Sequence, residues 1–196
     1  MRYNELTFQG RNAVLEAFRS GKTIDKLFIL DGCQDGPIKS IVREAKKTDA
    51  IINYVDKERL DRLAGTGHHQ GVVAIGAAYE YAEVDDILAA AKEKGEDPFI
   101  FILDEIEDPH NLGAIIRTAN LAGAHGVIIP KRRAVGLTAT VAKTSAGAIN
   151  YTPVAKVTNI SQTIEELKKQ GLWFVCADMG GETMYNLNLK GPIGLV

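Results

Sequence analysis

Apolar residues alternate between strand-like and helix-like spacing in the first part of the chain. Short apolar runs predict strands, and stretches with apolar residues three and four positions apart predict helices. The predicted helices are 12–18, 38–47 and 57–64, and the predicted strands are 26–30, 51–55 and 72–77. This alternation predicts a small α/β unit that ends near Ala77.

A second alternation begins with an apolar run of strand length that follows Pro98. The predicted strands are 99–103, 126–129, 172–177 and an apolar end at 193–196, and the predicted helices are 111–122, 138–146 and 160–170. Strands that alternate with helices in this way favour a mostly parallel sheet with helices on both faces. The whole chain is therefore predicted to be an α/β protein of two units.

The segment between the two alternations contains a single predicted helix and no predicted strand. Residues 79–83 predict a tether, residues 84–94 predict a helix, and a Gly-Glu-Asp-Pro sequence ends that helix. We predict a first domain at 1–77, a linker with a helix at 78–97 and a second domain at 98–196.

Composition and charge narrow the classes of protein that the sequence fits. Of its 196 residues 45% are apolar and 24% are charged, which is ordinary for a globular chain and argues against disorder. Residues 1–76 carry 12 Lys/Arg and 10 Asp/Glu, residues 77–107 carry 2 and 10, and residues 108–196 carry 9 and 5. The net charge of −2 thus combines two mildly basic segments with one acidic segment. Phosphate binding depends on such local charge, so a nucleic-acid partner is compatible with the sequence.

The cysteines and the apolar runs exclude further classes. Cys33 and Cys176 lie far apart, with no Cys-x-x-Cys and no clustered histidine, which favours two reduced thiols over a disulfide framework or a zinc site. No apolar run approaches membrane-spanning length, and the N-terminus lacks the apolar stretch of a signal peptide. We therefore expect a cytoplasmic protein with no metal and no membrane partner.

Residues 104–118 carry the candidate chemistry, because they follow a buried strand and lead into a helix. Asp108-Pro109 or Asn111 can begin that helix, and a helix N-terminus at the carboxyl end of a strand is a common place for a site. Gly113 permits the close approach of another backbone or of a ligand. Arg117 lies on the same predicted face as Gly113, since four residues separate them.

Two interpretations of Arg117 are open at this point. By spacing alone it is a solvated arginine behind a well-capped helix start. An arginine cannot act as an ordinary general base at neutral pH, but it can hold a phosphate or stabilise a developing oxyanion. Its position near a strand end favours the second interpretation, in which a hydroxyl group attacks a substrate close to a phosphate.

Other polar clusters give weaker evidence for a functional site. Residues 131–133, Lys-Arg-Arg, follow a strand and fit either a solvated loop or a phosphate contact. The glycines of loop 65–71 have the wrong spacing for a dinucleotide-binding turn, which disfavours an oxidoreductase, and the polar side chains of this loop are predicted to contact a partner. Ser145 has no neighbouring base that would mark it as a nucleophile, and His110 and His125 are predicted to be structural.

Residues 111–117 match the Asn-x-Gly-x-x-x-Arg motif of the SpoU (TrmH-like) branch of the SPOUT RNA methyltransferases. Residues 126–133 and 145–148 resemble later segments of that branch, and residues 69–74 are similar to the end of its L30e-like substrate-binding domain. The resemblance covers nearly the whole chain. It is closest to the bacterial subgroup that 2′-O-methylates a guanosine of 23S ribosomal RNA.

The resemblance implies a fold, a reaction and a set of site residues. It implies an L30e-like α/β domain followed by a SPOUT domain, whose trefoil knot is expected only in the full-length protein. S-adenosyl-L-methionine would donate a methyl group to a ribose 2′-hydroxyl in a homodimer, with Arg117 as the catalytic arginine and Asn111 shaping the site. The substrate would be ribosomal RNA or, less in keeping with the first domain, transfer RNA. The residues expected to contact RNA are Lys131, Arg132, Arg133, Arg11, His69 and Gln70.

The sequence departs from the family pattern near Val196. Residues 192–196 resemble the strand that leads into the second family motif, a Gly-Ser/Ala-Glu-Gly turn, but neither that turn nor the Ser/Asn-rich knot helix follows. We therefore expect a truncated or partial sequence, with the main cofactor contacts beyond Val196 and no activity from these residues alone. The alternative is a non-catalytic RNA-binding protein, and the target nucleotide does not follow from the sequence.

Overall fold

The computed structural model describes residues 6–48, 50–65 and 67–196. The chain divides into two compact units, the first ending at Glu80 and the second beginning at Tyr81. The strands are β1 (Leu6–Gln9), β2 (Ile24–Leu30), β3 (Ile51–Val55), β4 (Val72–Gly76), β5 (Phe99–Ile102), β6 (Gly126–Pro130), β7 (Val154–Val157), β8 (Trp173–Val175) and β9 (Ile193–Leu195). The helices are α1 (Arg11–Arg19), α2 (Gly36–Lys47), α3 (Lys57–Ala64), α4 (Val84–Lys94), α5 (Pro109–Leu121), α6 (Ala139–Thr144) and α7 (Ile160–Lys169).

The first unit contains a four-stranded sheet in the order β1-β4-β2-β3. β2 and β3 are parallel, whereas β4 is antiparallel to both β1 and β2. Its core includes Val14, Leu27 and Ile41, whose side chains are completely shielded from solvent. The sequence pattern does not predict β1, because this strand is short and half exposed and is stabilised by pairing with the distant strand β4.

Side-chain caps explain where two helices of the first unit begin. Asp35 accepts a hydrogen bond from the backbone N–H of Ile38 at 3.2 Å, and Asp56 accepts one from Arg59 at 2.7 Å. α3 ends where Gly65 adopts a left-handed conformation with a φ of 65°. Because these signals are local, the observed bounds of α3 agree with the predicted ones.

The second unit contains a five-stranded sheet in the order β7-β6-β5-β9-β8, and all neighbouring strands are parallel. This confirms the predicted, mostly parallel sheet. Ile100, Ile102 and Ile128 of the central strands are completely buried. β5 pairs with β6 on one side and with β9 on the other, so the winding direction of the sheet changes at β5. Ligands of open α/β sheets bind at the carboxyl ends of the strands beside such a change.

Helix α4 belongs to the second unit. The backbone N–H of Glu83 donates to the Asp86 carboxylate at 2.9 Å, and Gly95 ends the helix with a φ of 68°. Ile87 is completely buried in the core, and a Cβ added to Gly126 would lie 2.6 Å from its Cδ1 atom. The helix predicted inside the linker 78–97 is therefore packed into the second unit.

Three elements of the second unit differ from the predicted pattern. β7 is not predicted, because its four residues give a weak signal and the strand is stabilised by parallel pairing with β6. α6 ends at Thr144 because Ala146 and Gly147 have φ angles of 51° and 89°, which reverse the chain. β8 covers 3 residues rather than the predicted 172–177, since the chain becomes exposed after Val175.

Within the described ranges, none of the helices is long and apolar enough to cross a membrane.

Candidate active site

The segment that joins β5 to α5 builds the candidate site, and we call residues 103–108 the approach loop. The backbone N–H of Leu103 donates to the Ile128 carbonyl at 2.9 Å, which continues the pairing of β5 with β6. Asp108 caps α5 by accepting a hydrogen bond from the His110 backbone at 2.7 Å, and Pro109 occupies the first turn. The cap is thus Asp108, one of the two starting points that the sequence allows.

Asn111 and Arg117 both lie on the exposed side of α5. The opposite side carries Leu112, Ile116 and Ala119, which are completely buried. Among the described residues, neither the Asn111 amide nor the Arg117 guanidinium has a hydrogen-bond or ion-pair partner. Both side chains are therefore available to a ligand at the solvent-facing surface of this helix.

Gly113 brings α5 and α6 into close contact. A Cβ at position 113 would lie 2.9 Å from the Val141 carbonyl oxygen and would overlap the hydroxyl of Thr144. That hydroxyl donates to the Thr140 carbonyl at 2.9 Å and also lies 3.3 Å from the Pro109 carbonyl. The predicted close approach at Gly113 is confirmed, and the approaching groups are the Thr144 side chain and the Val141 backbone of α6.

Ser145 has a structural environment. Its side chain is completely buried, and its hydroxyl donates to the Ala142 carbonyl at 2.9 Å. A nucleophilic serine needs a base within hydrogen-bond distance, and the hydroxyl of Ser145 is instead directed at a carbonyl oxygen. The structure agrees with the sequence in giving Ser145 no catalytic environment.

The three cations that follow β6 have three different environments, and we call residues 131–137 the basic loop. The Lys131 backbone N–H donates to Val157 at 2.7 Å, which extends the pairing of β6 with β7. Arg132 is exposed, and no partner for its guanidinium occurs in the part of the chain that the structure describes. Arg133 forms an ion pair with Glu105 at 2.6 Å. Of the two arginines, only Arg132 thus presents an unpaired guanidinium.

The approach loop and the basic loop lie side by side. Besides the ion pair of Glu105 and Arg133, the backbone N–H of Val135 donates to the Ile106 carbonyl at 2.8 Å. The structure therefore brings the predicted basic segment to the loop that leads into α5. The part played by Glu105 is not predicted from the sequence, because nothing local indicates which cation a loop carboxylate will meet.

Arg11 and Gln70 come together in the first unit. The Arg11 backbone N–H donates to the Gln70 side chain, and its Nε donates to the Gln70 carbonyl, both at 3.1 Å. A terminal nitrogen of Arg11 also contacts the Asp35 carboxylate at 2.6 Å. Two of the residues expected to contact RNA thus form one cluster, in which the charge of Arg11 is partly neutralised.

His69 lies in the interior of the first unit. Its side chain is buried, with a relative exposure of 5%. Its Nε2 atom lies 2.9 Å from the Asp61 carboxylate, and its Nδ1 atom accepts a hydrogen bond from the Gly71 backbone at 3.0 Å. With its ring buried and both nitrogens bonded inside the unit, His69 has a structural environment, and its expected contact with RNA stays a prediction.

Other polar groups of the second unit hold the fold together. His125 is buried, accepts a hydrogen bond from the Phe99 backbone at 3.1 Å and contacts Glu96 at 3.0 Å, which confirms a structural role. A cavity of about 240 Å³ lies between α4, β7 and α7, and its lining includes no residue of the approach loop. Its lining residues include Glu83, Asp85 and Glu166.

Comparison with known sequences identifies the family. The sequence profile of the SpoU rRNA methylase family matches residues 98–196, which include the approach loop, α5 and the basic loop. A second profile, described as the substrate-binding part of RNA 2′-O ribose methyltransferases, matches residues 9–82. The chain belongs to the SpoU rRNA methylase family.

Similar proteins from bacteria carry the name of the TrmH family of tRNA/rRNA methyltransferases. One from Bacillus subtilis is 52% identical over 188 residues, which are 95% of this chain and 75% of the relative. One from Staphylococcus haemolyticus is 48% identical over 193 residues, which are 98% of this chain and 77% of the relative. This SpoU family chain thus spans about three quarters of the length of these relatives.

Solved structures share the architecture of this SpoU family chain. An rRNA methyltransferase from Sinorhizobium meliloti aligns with a TM-score of 0.50 and 24% identity, over 97% of this chain and 70% of that chain. The SpoU methyltransferase AviRb from Streptomyces viridochromogenes, in complex with AdoMet, aligns with a TM-score of 0.53 and 19% identity, over 97% of this chain and 71% of that chain. Both comparisons confirm the predicted α/β fold.

Proposed function

We propose that this protein is an RNA ribose 2′-O-methyltransferase that takes its methyl group from S-adenosyl-L-methionine. Membership of the SpoU rRNA methylase family supports the reaction class. The match of residues 9–82 to a substrate-binding part of RNA 2′-O ribose methyltransferases supports the ribose hydroxyl as the acceptor. A homodimer is part of the same proposal and rests on the family resemblance.

The environment of Arg117 is the observation that carries the proposal. Its guanidinium is exposed on α5, on the surface of the helix that follows the carboxyl end of β5. A guanidinium with no partner among the described residues can hold an RNA phosphate in a bidentate contact and stabilise a developing alkoxide. It cannot remove the proton of the 2′-hydroxyl itself at neutral pH, so that proton leaves to a phosphate oxygen or to water.

The cofactor of the proposed reaction needs a binding pocket. When bound, S-adenosyl-L-methionine supplies an electrophilic methyl group on a sulfonium centre. Within the described ranges, every buried side-chain nitrogen or oxygen already has a hydrogen-bond partner, so no buried polar group remains for a cofactor to satisfy. Burial therefore singles out no cofactor contact among these residues, and we assign none to them.

The chain's own residues bind and orient the RNA in this proposal. Arg117 holds the phosphate beside the reacting ribose, and Asn111 offers an exposed amide earlier on the same helix. Arg132 and Lys131 supply further phosphate contacts from the neighbouring basic loop. In the first unit, Gln70 and Arg11 present a polar cluster that supports binding away from the reacting nucleotide.

Arg117→Ala tests the catalytic role. We expect methyl transfer by the full-length protein to fall about a hundredfold or more, as in other enzymes that lose a group stabilising an oxyanion. The measurement is transfer of labelled methyl from S-adenosyl-L-methionine to total RNA from cells that lack the protein. Arg43→Ala, which removes an exposed arginine from α2, is the matched control and should leave transfer unchanged.

The outcomes separate the proposed enzyme from a non-catalytic RNA-binding protein. If the wild-type protein binds RNA but transfers no methyl group to any RNA from those cells, the proposal is wrong. If it transfers methyl groups and Arg117→Ala does so equally well, Arg117 has no part in the reaction. Cofactor binding by Arg117→Ala should remain close to that of the wild type.

We further propose a guanosine of 23S ribosomal RNA as the acceptor, because the family resemblance is closest to that subgroup. Mapping of 2′-O-methylation in RNA from cells with and without the protein identifies the nucleotide directly. Loss of one guanosine methylation in 23S ribosomal RNA is the expected result. Loss of a methylation in transfer RNA instead would assign a different substrate to the same reaction.

We also propose that these 196 residues alone bind S-adenosyl-L-methionine weakly, because the family resemblance places the main cofactor contacts in motifs that these residues do not contain. Calorimetric titration of the 196-residue chain beside the full-length protein measures this difference. Equal, tight binding by a preparation whose intact mass matches these residues would show that they suffice for the pocket.

A further inference from the structure

We propose that Glu105 and Arg133 are positioning residues that fix the approach loop against the basic loop beside the candidate site. Their catalytic consequence rests on the proposed function, whereas their effect on loop order does not. We call them the cross-loop pair. Neither residue belongs to the Asn-x-Gly-x-x-x-Arg motif, and each lies in a loop that follows a central strand of the sheet.

Two contacts join the loops at neighbouring positions. The Arg133 Nη1 atom lies 2.6 Å from the Glu105 Oε1 atom, and the Val135 backbone N–H donates to the Ile106 carbonyl at 2.8 Å. The ion pair by itself is exposed, with side-chain exposures of 70% for Arg133 and 61% for Glu105. Such a pair contributes little to global stability, so its effect is expected to be local.

The backbone of both members of the pair is unusual. Glu105 has a φ of 51° and Arg133 has a φ of 57°, which is the left-handed region that residues with a Cβ rarely adopt. Within the described ranges only four non-glycine residues have a positive φ, and this pair accounts for two of them. Residues persist in such conformations where the surrounding contacts hold them, and they concentrate at functional sites.

The pair also gives the two arginines of the basic loop different roles. Glu105 compensates the charge of Arg133, whereas the adjacent Arg132 has no partner among the described residues. Arg132 is thus the phosphate contact, and Arg133 holds the loop that carries it. On the other side, Glu105 lies three residues before Asp108, which caps the helix bearing Asn111 and Arg117.

Three variants of the full-length protein test the proposal. Glu105→Gln and Arg133→Gln each remove one charge, and the exchange Glu105→Arg with Arg133→Glu reverses the pair. We expect each single variant to lower kcat about fivefold with KM changed less than about twofold, which corresponds to about 1 kcal/mol, the upper range for an exposed pair. The reversed pair should recover at least about half of the lost kcat, which loss of folding alone would not produce.

Glu165→Gln is the matched control. It removes one charge from the exposed ion pair of Lys168 and Glu165 in α7, which has a length of 2.7 Å. We expect kcat and KM of this variant to equal those of the wild type. The substrate in all assays is total RNA from cells that lack the protein.

A change in KM with an unchanged kcat would overturn the proposal. If Glu105→Gln lowers KM and Arg133→Gln raises it, with kcat constant in both, Arg133 is an RNA contact that Glu105 masks. If the wild-type protein transfers no methyl group, the proposed function fails, and amide hydrogen exchange still tests the pair. Exchange of the Val135 amide should then be about fivefold faster in Glu105→Gln than in Glu165→Gln, and equal rates would refute the positioning role.

Discussion

Two adjacent histidines, His68 and His69, show that residue type and loop position do not decide a role. The ring of His69 is buried and bonded at both nitrogens, whereas His68 is exposed. The sequence presents both as polar residues in a glycine-containing loop. Only the fold places Asp61 and the Gly71 backbone beside His69, which makes it part of the structure of the first unit.

His69→Ala should therefore affect stability rather than RNA recognition. Loss of the ring leaves the buried Gly71 N–H without its acceptor, so we expect the free energy of unfolding to fall by about 1–3 kcal/mol. Urea unfolding measures this change, and His68→Ala should remain within about 0.5 kcal/mol of the wild type. If the His69→Ala protein has unchanged stability but binds RNA more weakly, the result would instead support His69 as an RNA contact.

At the scale of secondary structure, the packing of α5 on α6 decides how the motif helix is held. The sequence predicts α5 from its apolar spacing and from the Asp-Pro start, and Gly113 predicts the close approach of another backbone or of a ligand. It does not predict that Gly113 faces Val141 and Thr144, since that contact depends on how the two helices cross. Gly113 thus positions the helix that carries Arg117.

Gly113→Ala tests this contact. The added Cβ would lie 2.8 Å from the Thr144 Cβ atom and 2.9 Å from the Val141 carbonyl, so the helices must move apart. We expect the free energy of unfolding to fall by about 1–3 kcal/mol, the usual cost of overpacking, although alanine favours helix more than glycine does. Gly67→Ala is the control, because a Cβ there meets nothing within 4 Å. Equal stability of both variants would show that α6 moves away from α5 without a loss in the free energy of unfolding.

At the scale of the whole molecule, the two units have separate cores. Buried residues from α1, α2, β2 and β4 form one cluster in the first unit, and buried residues from α4, α7 and the central strands β5 and β6 form another in the second. The family profiles follow the same division, since one matches residues 9–82 and the other residues 98–196. The boundary prediction of 78–97 stays a prediction of domain organisation, and the structure places its helix in the second unit.

We expect residues 1–80 to fold when produced alone. A unit with its own shielded core unfolds as one cooperative transition, which circular dichroism during urea titration measures. The isolated piece should retain the helical signal of α1, α2 and α3. A chain without a cooperative transition would show that the first unit depends on the rest of the protein.

The sequence by itself determined the alternation of helices and strands, the parallel sheet of the second unit and the motif that carries Asn111 and Arg117. These features depend on local spacing, on caps such as Asp56 and on short motifs, all of which act over a few residues. For the same reason the predicted bounds of α3, β3 and α4 agree with the structure.

Only the tertiary structure decided which polar residues meet. It buried His69, joined Arg11 to Gln70 and paired Arg133 with Glu105, so that of the two arginines of the basic loop only Arg132 has no partner among the described residues. It also formed β1 and β7, whose short sequences carry little strand signal. Each of these outcomes depends on contacts between distant segments, and no local pattern of residues specifies such contacts.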